Sequence, residues 1–180
     1  MGRKGSARER LLIAATKVVS EVGAGNLTLD RVAIAAGVSK GGLLYHFATK
    51  RDLIEAMMTE VLGEFQTKLF EKADVSEDKE NPQLVAAIKV MQERTEVEKL
   101  RMQAILAASA ENPDLLEPAQ TVLKEHFDEV KSKASNKNQT LTILMALEGI
   151  RFMELCNLLP LDSEEVNGLL EELLDLCPTK

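Results

Sequence analysis

Apolar residues recur every three or four positions along most of the chain, and each run opens on a residue suited to capping a helix. Ser6 with Glu9 makes a capping-box pattern, followed by Leu11, Leu12, Ala15, Val18, Val19 and Val22 at helical spacing, and Gly23 ends the run. Thr28 can cap a second, short helix to about Ala36, where Gly37 supplies a tight turn. Ser39 can cap a third, to about Phe47. Thr49, with Asp52 three residues on, opens a long fourth helix, 49–72, that carries Leu53, Ile54, Met57, Met58, Val61, Leu62, Phe65 and Leu69. No run alternates as a strand bounded by turn residues would.

The stretch KADVSEDKENPQ, 72–83, is the most polar part of the chain and reads as an internal boundary. Asn81-Pro82 opens a fifth helix, and Thr95 with Glu98 forms a second capping box for a sixth. ENPDLLEP marks a corner, from which a seventh helix runs from about Asp114 to Ala134. The eighth, 138–158, differs from the rest: its only charges are Glu148, Arg151 and Glu154. Its length would suit a membrane span, yet three charges at about 3 kcal/mol each oppose insertion. A helix apolar on nearly every side is buried on several sides, which in a chain this small implies burial against a second copy. A ninth follows Asp162 and Ser163 with Val166, Leu169, Leu170, Leu173 and Leu174. The expected fold is all-α, with about nine helices and no internal repeat.

Charge changes this picture. The chain carries −7 overall, but residues 1–51 hold nine basic residues (Arg3, Lys4, Arg8, Arg10, Lys17, Arg31, Lys40, Lys50, Arg51) against Glu9, Glu21 and Asp30, giving +6. The remaining 13 basic and 26 acidic residues give −13. A basic head on an acidic body is the electrostatic footprint of a nucleic-acid binder. The opening MGRKGSARER runs straight into an amphipathic pattern, which argues against export and for the cytoplasm. Cys156 and Cys177 lack metal-ligand spacing and read as reduced thiols; no metal or cofactor is expected.

The stretch GVSKGGLLYHFATK, 37–50, concentrates the chemistry. It holds the only Tyr of the chain, Tyr45, beside one of its two His, His46. Two short helices about a glycine turn make a helix-turn-helix, whose second helix is the one that enters the major groove. Ala33 is small enough for the helices to cross closely, and Val38, Leu43 and Phe47 offer a packing side. Gly41 and Gly42 cost roughly 1 kcal/mol each in a helix interior. Their absent side chains would let the backbone approach bases; a frayed helix is the alternative. Tyr45 and His46 can each reach phosphate oxygens, with Lys50 at the start of the next helix. For His46 alone, a surface histidine is the other reading.

LTLDRVAIAAGVSKGGLLYHFATKRDLIEAM, 27–57, resembles the DNA-binding region of the TetR (tetracycline repressor-like) family of bacterial transcriptional regulators, and the likeness reaches back over helix one. The GVS turn, the L-x-YHF run and the T-K-x-x-L opening of helix four occur together at the spacing of that family. The resemblance implies that Thr28, Tyr45, His46 and Lys50 contact the DNA backbone and that Ser39, Lys40, Gly41 and Gly42 lie at or near the bases. Many members have Thr, Ser or Ala at Gly42 and Tyr at Leu44, so base readout here leans on Lys40 and on close backbone or thymine-methyl contacts. It also implies a helix-turn-helix domain, 1–48, and a helical ligand-binding and dimerisation domain, 49–180, with helix 49–72 connecting the two. The last two helices, 138–158 and 163–176, would form a homodimer through Leu147, Ile150, Val166, Leu169, Leu170 and Leu173.

The expected function is a repressor that binds a palindromic operator in double-stranded DNA as a homodimer and is released by a small effector. The family places that effector in the body. Beyond residue 60 the aromatics are Phe65, Phe70, Phe127 and Phe152, too few for an aromatic cage around a cation. Met91, Met102, Phe127, Met145 and Phe152 would line an aliphatic cavity for an apolar molecule, although Met and Leu at helical spacing also serve as plain core. His126 could be a pocket polar group, a metal ligand, or a solvated or hydrogen-bonded histidine; no cluster at metal-ligand spacing surrounds it. Arg94, Arg101 and Arg151 could meet a ligand carboxylate or form ion pairs. An enzyme has no support from a nucleophile or phosphate-loop motif. A ligand-independent DNA-binding or nucleoid-associated protein is the alternative, and it would need no cavity.

Overall fold

The computed structural model describes residues 6–76, 79–110 and 112–179. Arg3, Lys4, Glu77, Asp78 and Glu111, which enter the patterns above, lie outside the described residues. Among those described, nine α-helices follow one another: α1 (Ala7–Val22), α2 (Leu29–Ala36), α3 (Lys40–His46), α4 (Lys50–Asp74), α5 (Pro82–Gln92), α6 (Glu96–Ser109), α7 (Glu117–Ser132), α8 (Lys137–Leu155) and α9 (Ser163–Asp175). Short 3-10 turns occupy Ala24–Asn26 and Pro113–Leu116.

The helices begin where the sequence supplies oxygen for their free N–H groups. Ser6 with Glu9, Thr95 with Glu98, and Asp162 with Glu165 form reciprocal capping boxes. The Thr49 hydroxyl accepts from Asp52 N–H, and the Asp52 carboxylate accepts from Thr49 N–H at 2.9 Å. Pro113 and its neighbours form a 3-10 turn, so α7 starts at Glu117, three residues after the expected Asp114. At the other end of the chain α8 stops at Leu155, short of the expected 158, because Asn157 takes a left-handed conformation (φ 55°) and Leu158 N–H donates back to Met153 O at 2.8 Å.

The chain divides into two compact units. The first comprises Met1–Val61 with Thr95–Ala119, and the second Leu62–Arg94 with Gln120–Lys180; α4 and α7 contribute to both. In the first unit α1 packs on α2 and α2 on α3, while α6 packs on α1 and on the 3-10 turn after it. Leu11, Leu12, Val32, Leu43, Phe47, Leu53, Met57 and Ile105 are buried there. The association of α6 with the head had no signal in the sequence.

In the second unit α5 packs on α8 and α9 around a cluster that includes Leu69, Leu84, Ile88, Met91, Leu144, Leu147, Leu170 and Leu173. The polar stretch 72–83 lies inside this unit and forms a corner. Glu80 N–H donates to Pro178 O, and the Glu80 carboxylate accepts from Ser135 N–H at 2.7 Å and from its hydroxyl at 2.8 Å. Those bonds from Ser135 hold the Glu80 pKa below its ordinary value.

Candidate nucleic-acid interface

The helix-turn-helix rests on two side-chain caps and one left-handed glycine. The Thr28 hydroxyl accepts from Arg31 N–H at the start of α2, and the Ser39 hydroxyl accepts from Gly42 N–H at 3.1 Å at the start of α3. Gly37 ends α2 at φ 66°, ψ 35°, a conformation that a Cβ would strain, and Val38 N–H closes the turn on Ala33 O at 3.0 Å. Ala33 is buried at this crossing, as its size suggests.

Beneath α3, Leu43 and Phe47 are buried, and the Arg8 guanidinium stands over the Phe47 ring 5.5 Å from its centroid. Above it, Thr28, Ser39, Lys40, Gly41, Gly42, Tyr45 and Lys50 are exposed and His46 is half-buried. Tyr45 is 87% exposed, and its ring meets that of His46 edge-on, 5.1 Å between centroids. A large aromatic residue so exposed contributes nothing to the core and offers its hydroxyl outward. Leu44 is partly exposed beside it.

Two glycines on this face differ. A Cβ added at Gly41 would meet nothing within 4 Å, whereas one at Gly42 would stand 3.3 Å from the Ser39 hydroxyl oxygen that caps the helix. Gly42 thus has a local reason inside the chain and Gly41 has none.

The sequence reading missed two features of the head. Lys40 Nζ lies 2.9 Å from Asp30 Oδ1, so the side chain expected at the bases is tied to α2 by an exposed ion pair. Arg51, counted in the basic segment, pairs with Asp114 and with Glu55 Oε1 at 2.7 Å. A long-range pair such as Lys40–Asp30 has no signature in spacing, since it depends on how the turn folds back.

The residues expected to line a cavity fall in different places. Met91 is buried and Phe127 packs against the cluster of the second unit, Met102 is half-buried in the first, and Met145 and Phe152 are 58% and 60% exposed on α8. The residues expected at a dimer interface also divide. Leu147, Leu170 and Leu173 are buried in the core of their own protomer, Ile150 and Val166 pack at its edge, and Leu169 is exposed. Arg94 pairs with Glu154, Arg101 with Glu60, and Arg151 with Glu148. Cys177 is buried, which raises its thiol to about 11, and Cys156 is exposed. No helix among the described residues is long and apolar enough to cross a membrane.

A helix-turn-helix with an exposed basic and aromatic recognition face, joined to an all-helical body, defines a DNA-binding transcriptional regulator and not an enzyme. Residues 11–57 match the family described as bacterial regulatory proteins, tetR family, and residues 81–178 match the tetracycline repressor-like C-terminal domain; the chain belongs to this family. It is similar to the HTH-type transcriptional regulator BetI 2 of Chromohalobacter salexigens, with 27% identity over 93% of this chain and 86% of that one. Among solved structures it resembles a TetR-family member from Streptomyces coelicolor, with 22% identity, 97% and 100% of the two chains covered and a TM-score of 0.68. It also resembles the multidrug binding protein EbrR complexed with malachite green, with 23% identity, 97% and 100% covered and a TM-score of 0.68. These last two likenesses carry the fold.

Proposed function

We propose that the protein is a ligand-responsive repressor that binds a palindromic operator as a homodimer and is released by a small effector. The observation that carries the DNA half of this reading is the sidedness of α3. Leu43 and Phe47 point into the core while Lys40, Gly41 and Tyr45, with Lys50 beyond, are left to solvent. Lys50 is exposed at the start of α4, where its charge can meet a phosphate.

The dimer half rests on α8 and α9. Met145, Ala146, Gly149, Phe152 and Met153, with Cys156 at the C-cap, recur at helical spacing along the exposed side of α8, and none is charged. Leu169 on α9 and Leu176 at its C-cap are exposed. A Cβ at Gly149 or Gly168 would meet nothing within 4 Å, so the protomer does not itself require either glycine. An uncharged stripe with room for close approach suits a second copy packed along it. The interface proposed here is this stripe, with Met145 and Phe152 in it.

Release by an effector would act through α4, which starts at Lys50 and runs about 37 Å at 1.5 Å per residue to Asp74. Two recognition helices must meet major grooves about 34 Å apart, so a few ångströms of spread would cost register.

Selection of genomic fragments by the purified protein, followed by titration of the selected duplex, tests the reading. The expected result is a palindromic site bound with a slope of log K on log salt of about −7, from about eight phosphate contacts. A compound that displaces the protein must in turn bind less tightly, by the same factor, when the duplex is present. Non-palindromic sites, or binding that no compound relieves, would favour a ligand-independent DNA-binding protein.

A further inference from the structure

The second unit buries an ionisable group that its neighbours do not satisfy. His126 of α7 is 6% exposed, and its Nε2 has no hydrogen-bond partner. A buried polar atom left unpaired forfeits its hydration without replacement, and native interiors rarely keep one. Phe65, from α4, stands edge-to-face against the imidazole with centroids 6.3 Å apart. The same ring carries the Arg151 guanidinium, from α8, 5.2 Å from its centroid. Arg151 is largely covered, and its partner Glu148 lies one turn back on α8, with Nη1 to Oε1 at 3.3 Å. Phe65 and Phe127 pack against the aliphatic cluster that contains Leu69, Ile88 and Met91.

These neighbours select among ligand head groups. A cation could donate to a neutral imidazole but would be repelled by Arg151. A neutral hydroxyl could accept from either group but would form no ion pair with the guanidinium. A carboxylate meets both groups. We propose that Phe65, His126 and Arg151 form the polar end of a site for an aliphatic carboxylate, which lies against Arg151 and accepts a hydrogen bond from His126 Nε2.

This site rests on the effector reading above and names the class of effector. Burial and the positive charge of Arg151 hold His126 at about 4, with Glu129 on the same helix acting weakly the other way. An anion beside the ring reverses the balance of charge, so the imidazole takes up a proton from solvent as the carboxylate binds. Affinity should therefore rise as the pH falls.

Octanoate is the probe, with octan-1-ol and octylammonium as neutral and cationic controls, each titrated into the full chain by calorimetry. Octanoate should bind at least about tenfold more tightly than octan-1-ol, the ratio of one charge-assisted hydrogen bond. It should tighten severalfold from about pH 7.5 to about pH 5.5, with proton uptake visible as a dependence on buffer enthalpy. Arg151→Gln should bring octanoate down to the octan-1-ol affinity, and His126→Gln should remove the pH dependence. Retained octan-1-ol binding shows that each variant is folded. The proposal is overturned if octanoate binds no better than octan-1-ol, if the ratio survives Arg151→Gln, or if the pH dependence survives His126→Gln. If octanoate binds as expected but leaves operator affinity unchanged, the carboxylate site stands and the effector reading falls. If another compound releases the operator and octanoate does not bind, the effector reading stands and the carboxylate site falls.

Discussion

The outward face of α3 carries Lys40, Gly41, Leu44 and Tyr45, and that of α8 carries Met145, Ala146, Gly149, Phe152 and Met153. Both faces spend exposed surface on residues that their own unit does not pack, and both include a glycine with open space where a Cβ would be. Their chemistry is opposite. The first keeps a lysine and a phenol in water, polar groups whose hydrogen bonds with solvent exchange reversibly. The second has no charge to desolvate and a large apolar area to hide, the composition of a lasting contact. One chain thus carries two kinds of incomplete surface, and each kind indicates what completes it.

The sharpest way to break this comparison is to place charge on either side of the α8–α9 layer. Leu170 is 1% exposed in the core of the protomer, so Leu170→Asp should cost several kcal/mol, comparable to the stability of a domain. Circular dichroism should show loss of the cooperative thermal transition. Phe152→Glu, at an exposed site, should leave helicity intact but sediment as a monomer, with operator affinity down about a hundredfold or more as two heads cease to act together. Dimers that survive Phe152→Glu would remove α8 from the interface.

Those two substitutions also mark how far the sequence could be read. Caps and breakers carry local chemistry, so the helix starts at Ser6, Thr28, Ser39, Thr95 and Asp162 were legible, and so was the exposure of Tyr45. The orientation of α8 was not. A helix apolar on nearly every side has no polar phase to say which face is the core, so Leu147 and Phe152 look alike in sequence while one is buried and the other exposed. The burial of His126 was illegible for a related reason, because it depends on Phe65 and Arg151 arriving from distant helices.

The interiors of the two units differ as well, and acid should expose that difference. Well above pH 6.5 the His126 imidazole is neutral in both the folded and the unfolded chain, and stability does not depend on it. As pH falls from 6.5 towards about 4, the unfolded chain takes up a proton that the folded chain refuses, so stability is lost through that window. At about 1.4 kcal/mol per pH unit the full loss is about 3 kcal/mol. Denaturant titrations across the window should show it, and His126→Gln should flatten it. A wild-type profile flat to about pH 4 would mean that the imidazole is satisfied by a partner such as water.

On the α3 side, charge can be removed one group at a time. Lys50→Ala should weaken every sequence similarly and make the salt slope shallower by about 2, one contact per head. Lys40→Ala should instead change which sequences are preferred. Asp30→Asn, which frees Lys40 from its 2.9 Å pair, should raise affinity for all duplexes and blur their ranking. Identical losses from Lys40→Ala and Lys50→Ala, with unchanged preference, would reduce α3 to a phosphate clamp.

The smallest expected effect concerns a single methyl group. Gly41 is helical, has no positive φ, and has nothing within 4 Å of the place where a Cβ would stand. Alanine there should therefore stabilise the fold by about 0.5–1 kcal/mol, since glycine gives up more backbone freedom on entering a helix. In a chain of this size that raises the melting temperature by a few degrees, roughly 2–4 °C. The same methyl should hinder the approach of α3 to base edges and lower operator affinity about tenfold per head, one lost close contact at about 1.4 kcal/mol in each. Gly42→Ala is the control, because its Cβ would crowd the Ser39 oxygen at 3.3 Å and forfeit part of the gain in stability. A more stable Gly41→Ala protein that binds as weakly as expected shows a position where the fold gives up stability for recognition. If Gly41→Ala melts higher and binds undiminished, the backbone of α3 does not come close to the bases, and readout rests on side chains such as Lys40.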